Sequence, residues 1–164
     1  MEIKVVTGVG IGKTLLSAFD AALKDCGVYN YNLIVLSSII PPHSQIERVE
    51  QYQTPPEEYG YKLYIIKAEN RSETLGEVIG AGIGWYQLED NRGMFVEHNF
   101  TGQDKDEVEK SLIQLIKDSL KDLCQFRGFD FDESKVNTAI SVTAVGNTST
   151  CVLALSIYQS QGWE

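Results

Sequence analysis

The chain has 164 residues, 43% apolar and 23% charged, which excludes a disordered polymer and supplies enough apolar material for one hydrophobic core. No apolar run approaches the roughly 18–20 residues that span a bilayer, and residues 1–6 lack the basic start and long apolar stretch of a signal peptide, so a cytoplasmic protein is expected. The 23 acidic against 14 basic residues give a net charge of −9, a field that repels nucleic acid and anionic membranes and favours small cations.

Residues 3–6 read as a short strand, followed by a glycine-rich turn over 7–12. From 13 to 26, Leu15, Phe19, Ala22, Leu23 and Cys26 recur at helical spacing, and Gly27 is a good C-terminal stop. Residues 32–40 form an apolar strand ended by Pro41-Pro42. The stretch 41–60 holds all four prolines and reads as an ordered loop, and 62–68 is a strand. Residues 72–86 read as a helix capped by Ser72, although Gly76, Gly80, Gly82 and Gly84 each weaken it by about 1 kcal/mol.

A strand follows at 94–100. The clearest helix spans 104–124, where Val108, Leu112, Leu115, Ile116 and Leu123 line one face and acids crowd the first turn. Residues 136–145 and 150–158 read as two strands joined into a hairpin at Gly146-Asn147. Six strands and three helices in mixed order predict an α+β sandwich in a single domain, with strand directions open.

Several motifs carry candidate chemistry. Gly8-Val9-Gly10-Ile11-Gly12-Lys13-Thr14 approaches a phosphate-binding loop, but Thr7 stands where the first glycine of that motif belongs, so a tight strand-to-helix turn is the better account. Cys26, Cys124 and Cys151 are too scattered for a metal site or a disulfide framework and read as small buried hydrophobes. No metal is expected.

Ser37-Ser38 closes the apolar run Leu33-Ile34-Val35-Leu36. A serine pair at a strand end can simply begin a turn. It can also cut the chain: Ser38 Oγ attacks the Ser37 carbonyl, the ester loses its carboxylate by elimination, and hydrolysis leaves a pyruvoyl group. That chemistry needs a hydroxyl just after the scissile bond, held rigidly beside a polarised carbonyl. In regular strand geometry Asn32 shares a face with Ser38. Asp20 lies at the edge of the apolar stripe of the first helix, where a carboxylate can be solvated or can face a pocket and bind a guanidinium. Glu97 sits inside a strand, either exposed or as a partly buried proton donor, with His98 on the opposite face.

Asn32-Leu33-Ile34-Val35-Leu36-Ser37-Ser38-Ile39-Ile40-Pro41-Pro42 resembles the processing segment of the pyruvoyl-dependent arginine decarboxylase family. The helix around Ala18-Phe19-Asp20, the step Tyr59-Gly60-Tyr61, the strand Gly93-Met94-Phe95-Val96-Glu97 and the segment Phe126-Arg127-Gly128-Phe129 resemble further family pieces in family order. The resemblance implies a four-layer αββα sandwich that assembles as a homotrimer or a dimer of trimers with sites between subunits. It implies a cut leaving residues 1–37 as a β chain and 38–164 as an α chain that begins with a pyruvoyl group made from Ser38.

By the same match, Asn32 assists processing, Asp20 receives the guanidinium end of a small cationic substrate, and Glu97 is the proton donor. The pyruvoyl ketone would form a Schiff base with arginine, releasing CO2 and agmatine, and Glu97→Gln is expected to be cut yet turn over poorly. His98 and the loop 45–58 depart from the family pattern. An uncut relative serving as a binding or assembly subunit, or a decarboxylase of another basic amino acid, is the alternative.

Overall fold

The computed structural model describes residues 1–164. Strand β1 (Glu2–Gly12) sends Ile3 and Val5 to one side and Val6, Gly8, Gly10 and Gly12 to the other. Helix α1 (Leu15–Cys26) lies on the glycine side, where a Cβ at Gly8 would come within 2.6 Å of Cys26 Sγ and one at Gly10 would collide with the backbone of Ala18 and Ala22. The expected turn at 7–12 is therefore strand: its glycines let a helix approach closely and do not turn the chain. Thr14 caps α1 by accepting from the Ser17 N–H, and Gly27 ends it at φ 87°.

The same device explains a second departure from expectation. Residues 78–87 form strand β6 (Val78–Gln87), not the C-terminal part of a helix. Ile79, Ala81, Ile83 and Trp85 face the other sheet, while Gly80, Gly82 and Gly84 face helix α2 (Lys105–Phe126). A Cβ at Gly80 would stand 2.6 Å from Val108 Cγ1 and 2.7 Å from Leu112 Cδ1. Two helices are therefore present instead of three, each seated on a glycine-lined strand.

Strands β2 (Asn32–Val35), β5 (Lys62–Ser72), β9 (Ser149–Gln161), β1 and β4 (Gln45–Arg48) form a five-stranded sheet in that order. Strands β3 (Ile39–Ile40), β7 (Gly93–Gly102), β6 and β8 (Asn137–Ala144) form a four-stranded one. The β1/β4 and β2/β5 pairs are parallel and the others antiparallel. Strand β4 and a short 3-10 turn at Pro56–Glu58 add local structure to the loop expected over 41–60.

The expected hairpin at 146–147 is not one. Strand β8 pairs with β6, whereas β9 pairs with β1 and β5, so this turn carries the chain from one sheet to the other. It is tied there by Gly76 N–H to Val145 O and Val145 N–H to Glu77 O, at 2.9 and 2.8 Å, beside the turn that makes the opposite crossing from β5 to β6.

The three largest of four apolar clusters hold these elements together. One joins the two sheets through Ile3, Val5, Ile66, Val152, Ile83 and Phe95. A second joins α1 to the five-stranded sheet through Ala18, Ala22, Leu153 and Leu155, and a third joins α2 to the four-stranded sheet through Ile116, Leu120, Met94 and Val96. All three cysteines are free and buried, and burial pushes the Cys26 and Cys151 thiols up to about 12. No helix is long and apolar enough to cross a membrane.

Candidate active site

Ser37 and Ser38 occupy the short segment in which the chain leaves one sheet for the other. Leu36 N–H still donates to Ile65 O on β5, while Ser38 O already accepts from Phe95 N–H on β7, both at 2.8 Å. Between these two anchors the chain turns sharply, and Ser38 takes φ 62°. That left-handed conformation costs a non-glycine residue about 1–3 kcal/mol, strain that the flanking strands must hold in place. The strand expected over 32–40 is thus broken in the middle, at the residue pair singled out for chemistry.

Asn32 begins β2 and so lies at the far end of the strand from Ser38. Six residues of largely extended chain span about 20 Å, and the Asn32 amide donates instead to Gly60 O at 2.7 Å. Asn32 makes no hydrogen bond with Ser38 within the chain.

Glu97 comes to Ser38 from the neighbouring strand. On β7, Phe95 and Glu97 point toward the space between the sheets, and Glu97 stands opposite Ile83. Strand β3 is only two residues long, so β7 is an uncovered edge from Phe95 onward and the Glu97 side chain stays exposed instead of partly buried. Its Oε2 accepts a hydrogen bond of 2.9 Å from Ser38 Oγ. This contact joins a hydroxyl to a carboxylate able to take its proton.

His98 points the other way, toward α2, with Nε2 2.7 Å from Ser119 Oγ. Burial holds its pKa below the usual histidine value, against the opposing pull of the Glu97 charge. A cavity of about 260 Å³ is lined by Ser38, Phe95, Glu97, His98, Ser119 and Leu123. A second, of about 240 Å³, takes in Glu97 and His98 together with Lys67 and Glu69 of β5. Glu97 therefore stands at the boundary of two adjoining cavities. A larger depression of about 630 Å³ lies along α2 and residues 129–133, lined mostly by polar side chains, and shares no residue with the Ser38 site.

Asp20 is exposed on α1, and its side chain makes no hydrogen bond or ion pair within the chain. The structure thus brings Ser37, Ser38 and Glu97 together and leaves Asn32 and Asp20 apart from them. Two neighbours of the site carry no local motif. Ser119 reaches it only because α2 packs across β7, and Tyr158 only because β9 lies in the facing sheet, where its hydroxyl donates to Ile39 O at 2.8 Å.

The residues at 38 fit a pyruvoyl group formed in place: a hydroxyl amino acid in a strained linkage, hydrogen-bonded to a carboxylate and open to a cavity. Comparison with known proteins agrees. The family described as pyruvoyl-dependent arginine decarboxylase matches residues 2–162. A protein of that name from Methanococcus vannielii is 35% identical over 136 residues, covering 80% of this chain and 75% of its own. Another from Thermoplasma volcanium is 29% identical over 163 residues, covering 94% of this chain and 87% of its own. The near-complete match and the Ser38–Glu97 contact point the same way: the chain belongs to the pyruvoyl-dependent arginine decarboxylase family.

Proposed function

We propose that the protein cuts itself between Ser37 and Ser38 and then decarboxylates arginine to agmatine with the pyruvoyl group so formed. The observation that carries this reading is the hydrogen bond from Ser38 Oγ to Glu97 Oε2 at a strained crossing between sheets.

Glu97 accepts the Ser38 Oγ proton as that oxygen attacks the Ser37 carbonyl carbon. The C–N bond breaks, leaving an ester on Ser38 Oγ and a free amine on residue 38. Removal of the residue 38 Cα proton expels the Ser37 carboxylate. Water then replaces the nitrogen, which departs as ammonia. Strain at Ser38 favours the first step, because breaking the peptide link releases a backbone held at φ 62°. The sequence alone assigned Glu97 to turnover only; its contact with Ser38 supports a part in the cut as well.

Position 38 would hold the completed group, which would supply a ketone to condense with the substrate amine and an electron sink as CO2 leaves. Glu97, still beside the same position, then delivers a proton to the substrate α-carbon. Asp20 binds the guanidinium end by paired, charge-assisted hydrogen bonds. Within one chain neither Asp20 nor Asn32 contacts Ser38 or Glu97. That separation supports a site completed by a second copy, in a homotrimer or a dimer of trimers.

The three apolar clusters support a four-layer αββα order, with α1 and α2 on the outer faces. Residues 1–37 would then remain as the β chain within one domain shared with the α chain, 38–164. Mass measurement of the denatured protein tests the reading: two fragments divided after Ser37, the larger with a blocked N-terminus, with CO2 release from arginine in the same sample.

A further inference from the structure

Strand β9 contains a local irregularity that falls beside the cutting site. Along the β5/β9 ladder Tyr64 pairs with Gln159 and Ile65 with Ile157, so Tyr158 is an extra residue with no partner on β5. Such a bulge re-aims a side chain, and bulges concentrate near active sites for that reason. Here the tyrosine enters the space between the sheets, its ring 6.2 Å from that of Phe95 and its hydroxyl 2.8 Å from Ile39 O.

Ile39 is the residue immediately after Ser38 and half of β3, which pairs with β7 only through Ile39–Met94 and Ile40–Gly93. A two-residue edge strand is a weak anchor for a strained residue. The Tyr158 hydroxyl adds a second anchor, from the opposite sheet, 119 positions away in sequence. With Phe95 N–H on Ser38 O and Glu97 on Ser38 Oγ, the segment is then held on three sides.

From this geometry we propose that Tyr158 is a positioning residue for self-cleavage, pinning the backbone after Ser38 so that its hydroxyl stays aimed at the Ser37 carbonyl. The proposal rests on the self-cleavage reading. Burial, with a further push from the Glu97 charge, raises the Tyr158 pKa, so the phenol remains a donor at every pH at which the protein would work.

The test compares the wild-type chain, Tyr158→Phe and Tyr86→Phe, each synthesised in a cell-free system and followed from intact chain to fragments on denaturing gels. Phenylalanine keeps the ring packing and removes only the hydroxyl. Tyr86 is a matched control: its hydroxyl bonds Asp130 O and the Asp132 N–H, away from Ser38. The cut should slow about tenfold or more in Y158F and less than twofold in Y86F, at similar thermal midpoints. Once fully cut, Y158F should turn over arginine within about threefold of wild type per pyruvoyl group, a split that general loss of stability would not produce. Equal cutting rates in Y158F and wild type would overturn the proposal alone, as would equal slowing in both variants. A wild-type chain that stays intact would overturn the self-cleavage reading and this proposal with it.

Discussion

Ser38 Oγ and Glu97 Oε2 lie 2.9 Å apart across 59 positions of sequence, brought together because β3 joins β7 directly after the serine. On the proposed reading, the contact would give one carboxylate two successive tasks at one place, accepting a proton during the cut and delivering one during turnover.

Glu97→Gln should therefore slow both reactions, by about a hundredfold or more each if the carboxylate acts as base and acid. Timed denaturing gels report the first effect, and CO2 release per pyruvoyl group reports the second. An E97Q chain cut at the wild-type rate would confine Glu97 to turnover.

Asp20 offers a separable effect, since it is exposed on α1 and contacts neither serine. Asp20→Asn should leave the cut unchanged and raise KM for arginine about tenfold or more, the loss expected when a charged hydrogen-bond partner is neutralised. Steady-state assays with arginine, lysine and ornithine would show the largest rise for arginine. A uniform fall in kcat with unchanged KM would remove Asp20 from substrate binding.

The glycine-lined strands make a stability prediction. Gly84→Val would drive a side chain into Ile116 of α2, and Gly10→Val would drive one into the α1 backbone. Each should cost about 1–3 kcal/mol or more. Urea unfolding should show lower midpoints for both. Gly146→Ala, where a Cβ meets nothing within 4 Å, should stay near wild type.

These strands also mark where the sequence was hardest to read. Alternating glycines at 80, 82 and 84 looked like flaws in a helix, because a glycine shows nothing of which face it occupies. Only the packed α2 reveals that face as a contact surface. The 104–124 helix was legible because its apolar stripe and acidic first turn are local signals. The 146–147 turn was misread because a hairpin and a crossing between sheets share the same turn residues. Ser37-Ser38 stood out as a candidate by its motif, and Glu97 by its place in a segment that resembles the family's. Tyr158 could not be singled out, since its placement depends on a bulge and a contact made from the opposite sheet.

His98 predicts an acid dependence. Burial lowers its folded pKa, so as pH falls the unfolded chain, titrating near about 6.5, takes up the proton first. The stability present at neutral pH is then lost as pH drops through the lower folded value. His98→Gln keeps a polar partner for Ser119 without this titration. Between pH 7.5 and 5.5 the wild type should lose more stability than H98Q in urea unfolding. Parallel losses would show that the His98–Ser119 contact does not carry the dependence.

The most direct test of the whole account is the mass of the purified, denatured wild-type protein beside that of Ser38→Ala. The account predicts two wild-type fragments separated between Ser37 and Ser38, the larger lacking a free N-terminal amine, and a single uncut chain for S38A. A wild-type chain still intact over all 164 residues after prolonged incubation would contradict it.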